Sequence, residues 1–101
     1  MITRFTIRVA LHMNYKYDSF DTDHYSVLQL EMLEQGFSNI VTLDDSEYEL
    51  PVGEFIRDGI DLSGNDVRAA AIEAAKRTER EFTVVVTQCE GKRLYWNLKE
   101  I

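Results

Sequence analysis

Arg4-Phe5-Thr6-Ile7-Arg8-Val9-Ala10-Leu11-His12-Met13 alternates without a break. Phe5, Ile7, Val9, Leu11 and Met13 fall on one side of an extended chain; Arg4, Thr6, Arg8, Ala10 and His12 fall on the other. Strand side chains repeat every two residues, so this run predicts a strand with one buried face. The two arginines predict that the second face is not simply covered by another apolar layer. The apolar face needs a cover, and the rest of the chain supplies two helices for it.

The first helix is expected from about Asp23 to Gln35, after a loop at Asn14–Phe20. Asp21-Thr22-Asp23 offers capping oxygens and negative charge at the positive end of the helix dipole. Tyr25, Leu28 and Met32 form its apolar stripe, widened by Leu30 and Leu33 and flanked by Val27. Gly36 is the expected C′ residue, with Phe37 packing back on the last turn. The second helix spans Gly64 to Thr78 or Arg80, capped by Ser63 with Asp66 three residues on. Its inner face is Val67, Ala70, Ala71 and Ala74, with Ile72 and Ala75 beside them.

Five further extended stretches complete the frame. Asn39–Leu43 is β-branched and apolar. Asp44-Asp45-Ser46 is a turn, and Glu47–Leu50 is a short return arm ended by Pro51, which has no ladder donor. Glu54–Ile60 reads as a strand interrupted by Arg57 and Gly59. Phe82–Cys89 is the strongest strand, with Phe82, Val84 and Val86 opposed to Thr83, Val85 and Thr87. After Glu90-Gly91, the alternation of Leu94, Trp96 and Leu98 predicts a last strand closing a C-terminal hairpin. The order β-α-β-β-α-β, with right-handed crossovers, predicts an α+β fold. It is a ferredoxin-like sandwich: one antiparallel sheet, both helices on one face, and an extra C-terminal strand. Residues 1–101 make a single domain. The uncovered sheet face, with Ala10 and Val85 among polar residues, predicts a homodimer that involves the hairpin.

Composition narrows the partners. Eighteen acids against eleven Lys and Arg give a net charge of −7, which argues against a nonspecific nucleic-acid coat. Residues 17–56 contain ten acids and no Lys or Arg, the pattern of a solvated surface or of an acidic patch that meets a basic partner. One cysteine rules out an intramolecular disulfide, and neither a signal peptide nor a membrane span is read, so the expected location is cytoplasmic. No P-loop, GxGxxG, HExxH, CxxC or GxSxG occurs.

The run Phe5–His12, the helix end Met32-Leu33-Glu34-Gln35-Gly36-Phe37-Ser38, Ile40-Val41, Tyr48-Glu49-Leu50-Pro51, Glu54-Phe55, Val84–Thr87 and Trp96 together resemble a known family. The chain looks like the small bacterial proteins grouped with GhoS-type endoribonuclease antitoxins, which are similar to the Cas2 and VapD group of ferredoxin-like ribonuclease folds. The resemblance runs from Phe5 to Trp96 and rests on core and turn residues. It implies a type V toxin-antitoxin antitoxin that binds RNA and cleaves the messenger of a membrane toxin. The Cas2 group is expected to place an aspartate just after the first strand. This chain has His12-Met13-Asn14-Tyr15 there, so no cofactor is assigned, no metal ligand is named, and a divalent metal stays an open alternative.

His12, with Asp18 following in the loop and Arg8 on the same sheet face, is the candidate catalytic set: a base, an acid to fix its tautomer and a cation for phosphate. Asp21, Asp23 and His24 are nearby, though two of these also serve as helix caps. Arg4, Arg8, Arg77, Arg80, Lys92 and Arg93 are the candidate RNA-binding cations. Lys76, Arg77, Arg80, Lys92 and Arg93 are expected to gather at one end, beside Tyr95 and Trp96 for base stacking. Cys89 reads as an inert thiol. Three functions stay open: the endoribonuclease, a noncatalytic dimeric protein-interaction module, and an acidic decoy that inhibits a nucleic-acid-binding protein. Their partners are single-stranded RNA or a basic protein.

Overall fold

The structure, a computed structural model, describes residues 2–12 and 22–101. Its elements are β1 (Ile2–Leu11), α1 (Thr22–Glu34), β2 (Ile40–Leu43), β3 (Ser46–Glu49), β4 (Glu54–Ile60), α2 (Gly64–Lys76), β5 (Phe82–Cys89) and β6 (Lys99–Glu100). They form an α+β fold with two antiparallel sheets of three strands, ordered β4-β1-β5 and β2-β3-β6. β1 is the centre of the first sheet. It pairs antiparallel with β4 (Arg4 opposite Asp58, Arg8 opposite Glu54) and with β5 (Arg4 opposite Cys89, Leu11 opposite Phe82).

The alternation in β1 sorts its side chains as expected. Phe5, Ile7, Val9 and Leu11 are buried in one cluster with Leu28 and Met32 of α1, Phe37, Phe55, and Val67, Ala71, Ala74 and Ala75 of α2. Alanines bring α2 close to the sheet, and the Ser63 hydroxyl accepts the Asp66 N–H at 3.1 Å to start it. The stripe on α1 is narrower than expected, because Leu30 and Leu33 are exposed. Both lie more than a quarter turn from the Leu28–Met32 line at 100° per residue. Gly36 (φ 92°) ends α1 in a Schellman motif: Phe37 N–H reaches Met32 O and Gly36 N–H reaches Leu33 O, each at 3.0 Å. Arg57 on β4 completes that end. Its guanidinium donates to Gln35 O at 2.6 Å and lies 5.4 Å from the Phe37 ring centre.

Two expectations about the sheet are corrected. The Asn39–Leu43 strand does not become a fourth member of the main sheet; among the described residues, the β-pairing between them is one isolated bridge, Ser38 to Ile56. The Ser38 hydroxyl bonds both the N–H and the C=O of Ile40. That local turn directs the chain into the β2–β3 hairpin, whose Asp44 and Asp45 (φ 49° and 68°) fit a two-residue turn with both φ positive. The predicted C-terminal hairpin is also absent among the described residues. Residues 92–96 pair with no strand, and β6 joins β3 in the second sheet instead. Residues 90–98 therefore form a strap across the outer face of the main sheet. Arg93 explains the path. Its fork donates to Phe5 O at 2.9 Å and to Asp58 Oδ1 at 2.8 Å, acceptors on and beyond β1 that a strand alongside β5 could not reach.

Candidate functional site

His12 continues the register of β1, and its N–H donates to Glu81 O at 2.7 Å. The imidazole lies toward β5. Nε2 is 2.7 Å from Thr83 Oγ1, and Nδ1 is 3.8 Å from a Glu81 carboxylate oxygen. Arg80 donates to His12 O at 2.8 Å. With a proton on Nδ1 facing Glu81, Nε2 is left to accept from the Thr83 hydroxyl, which is the arrangement of a base beside a nucleophile. His12, Glu81 and Thr83 are exposed. In that high dielectric the His12–Glu81 pair contributes little.

The other expected catalytic residues do not join it. Arg8 turns to the opposite strand and binds Glu54 at 3.2 Å. Four residues along β1 separate it from His12 by roughly 13 Å. Asp18, like Asp21, lies outside the described residues; Asp23 sits in the first turn of α1. Among the described residues, no group of three His, Cys, Asp or Glu side chains is placed to hold a metal ion.

Apart from Arg8 on Glu54, the expected RNA-binding cations divide among three places. Arg77 pairs with Glu31 at 3.4 Å, in the helix layer. Arg80 is beside His12. Lys92 and Arg93 follow β5 at its far end, where Cys89 stands opposite Arg4. The gathering of Lys76, Arg77, Arg80, Lys92 and Arg93 at one end is therefore corrected, because the full length of β5 separates the first three from the last two. Arg4 lies 3.9 Å from Asp58, which also holds Arg93. The sequence carries a signal for this pairing. Glu54 and Asp58 have the same four-residue spacing as Arg4 and Arg8, and antiparallel pairing sets opposite charges face to face. The described acids of the central stretch also spread over α1, the β2–β3 hairpin and β4.

The strap is the second notable feature. Arg93 is only 14% exposed. Burial lowers its pKa, but the hydrogen bond and charge of Asp58 outweigh this and raise it, with smaller help from Cys89 and Tyr95. Burial pushes the Tyr95 phenol up against the opposing charge of Arg93. Its hydroxyl is buried without a hydrogen-bond partner. Beneath the strap lies a crevice lined by Thr6, Ile56, Cys89, Arg93, Leu94 and Tyr95. Thr6 Oγ1 is 3.0 Å from Cys89 Sγ there. Along the strap Leu94 and Trp96 are 90% and 89% exposed.

Compared with family profiles, curated proteins and solved structures, the chain matches none. No helix among the described residues is long and apolar enough to cross a membrane.

Proposed function

We propose that this chain is a noncatalytic, dimeric protein-interaction module on a ferredoxin-like frame whose fourth strand is reduced to the Ser38–Ile56 bridge. The strap is its docking element. One observation carries the reading: Leu94 and Trp96 stand almost fully in solvent on a segment fastened at both ends, by Arg93 on one side and by β6 on the other. Immobilising an extended segment lowers the entropy cost of binding, and a prepositioned tryptophan is a common energetic centre of protein interfaces. The pairing of Arg4, Arg8, Arg77 and Arg93 with acids of the same chain favours protein over RNA. The net charge of −7 favours a partner with a basic rim.

The test uses Trp96, the one tryptophan. Proteins retained from host extract by the immobilised chain are purified singly and titrated against it. The expected result is a blue shift of Trp96 emission on saturation, with at least tenfold weaker binding by the Leu94→Ser/Trp96→Ser variant, a loss on the scale of an interface hot spot. Equal affinity of the double variant refutes the reading.

The His12–Thr83 contact favours a second reading, RNA cleavage of the kind the antitoxin resemblance implies. In that case purified protein cuts single-stranded RNA, with or without Mg²⁺, and His12→Asn slows it by roughly 10²-fold or more, the usual share of a general base. RNA left intact under both conditions removes this reading.

A further inference from the structure

β5 is the outer strand of the main sheet. The N–H of His12 bonds Glu81 O, so the alternation of an antiparallel ladder turns the backbone groups of Thr83, Val85 and Thr87 toward β1. Those of Phe82, Val84, Val86 and Gln88 point away from it. Among the described residues no strand pairs with them. The strand runs Phe-Thr-Val-Val-Val-Thr-Gln-Cys, eight residues with no charge, proline or glycine. Edge strands are normally protected by such residues, by a bulge or by short length. This one has none of those protections.

We infer that β5 pairs antiparallel with β5 of a second copy of this chain, joining the two main sheets edge to edge about a two-fold axis at Val85. The register follows from the strand itself. Residues directly opposite must share a face, and the outward backbone groups must meet each other. Any axis through a residue of the strand satisfies both, and the one at Val85 alone also pairs all four outward residues. Phe82 then faces the partner's Gln88, Val84 faces the partner's Val86, and the reciprocal pairs follow, so every outward N–H and C=O from Phe82 to Gln88 is bonded. Val85, 52% exposed in the single chain, lies against the partner's Val85 at the close, non-hydrogen-bonded position. Thr83 lies opposite the partner's Thr87. This self-complementarity selects a second copy over an unrelated strand. The strap reading is independent of it, since Leu94 and Trp96 take no part in this interface.

Sedimentation at protein concentrations from about 1 to about 200 μM, a range suited to a small interface, tests the inference. The mass should rise from 11.7 kDa toward about twice that value. Val85→Lys, at an exposed position that leaves the fold intact by circular dichroism, should keep the chain monomeric, because the axis opposes the two new cations. In a Cys89→Ser background, Val85→Cys should oxidise to a covalent dimer while Leu30→Cys on α1 should not. The Leu94→Ser/Trp96→Ser variant should dimerise normally. A monomer at the highest concentration, or a dimer that Val85→Lys does not weaken, overturns the inference.

Discussion

Replacing Arg93 with alanine tests how the strap is held. Its guanidinium makes two short hydrogen bonds, to Asp58 Oδ1 at 2.8 Å and Phe5 O at 2.9 Å, and two longer ones, to Thr6 Oγ1 at 3.4 Å and Asp58 Oδ2 at 3.5 Å. A hydrogen bond involving a charged group contributes about 1.5–3 kcal/mol net, and a long one much less. Asp58 is 38% exposed, so water takes over part of its lost pairing. The expected loss is therefore about 2 kcal/mol, equivalent to a fall in Tm of roughly 10 °C for a domain of this size. Arg93→Lys keeps the charge but loses the planar fork, and should recover less than half of it. Calorimetry gives the global change, and hydrogen exchange over residues 90–100 shows whether the strap lifts first. The reasoning fails if Arg93→Ala shifts Tm by less than about 2 °C while strap exchange is unaltered.

Three further outcomes follow from the same geometry. Gly53→Ala should destabilise the fold by about 2 kcal/mol or more in urea titration, because φ is 86° there and an added Cβ would sit 2.6 Å from Val9 O. Arg57→Gln should cost about 1–2 kcal/mol by the same measurement, since it removes the donor on Gln35 O and the cation over Phe37. Tyr95 has its folded pKa raised, so its contribution is complete below the ordinary tyrosine range near about 10 and is lost as pH rises through the folded value. Thermal melts across that range should lose less stability in Tyr95→Phe, which should also gain about 1 kcal/mol at neutral pH by removing the unpartnered hydroxyl.

Local chemistry made much of the fold legible. Glu54–Ile60 and Phe82–Cys89 have the bounds read from their sequence, and the Ser63 cap, the Gly36 terminator and the aspartate turn act where their side chains dictate. What could not be read were choices between distant partners. Alternation at Leu94, Trp96 and Leu98 fixes which side chains share a face, but not what the backbone lies against. That depended on Arg93 finding Asp58 and Phe5, 35 and 88 residues away. Ser38 illustrates the opposite scale, since a bond two residues long turned β2 away from the main sheet. At the candidate site, residue type located His12 and the arginines. Their pairing with Thr83, Glu54 and Asp58 required the strand register, and that pairing decides how much of their charge is available.

The strap brings together two residues that each occur once in the chain, Cys89 beneath it and Trp96 exposed along it. Thiol labelling of the first should track the strap lifting away, while quenching of the second by a soluble agent should track its exposed surface being capped. The protein therefore has two built-in optical and chemical gauges, so undocking and occupancy can be followed in the same cuvette without attaching a dye.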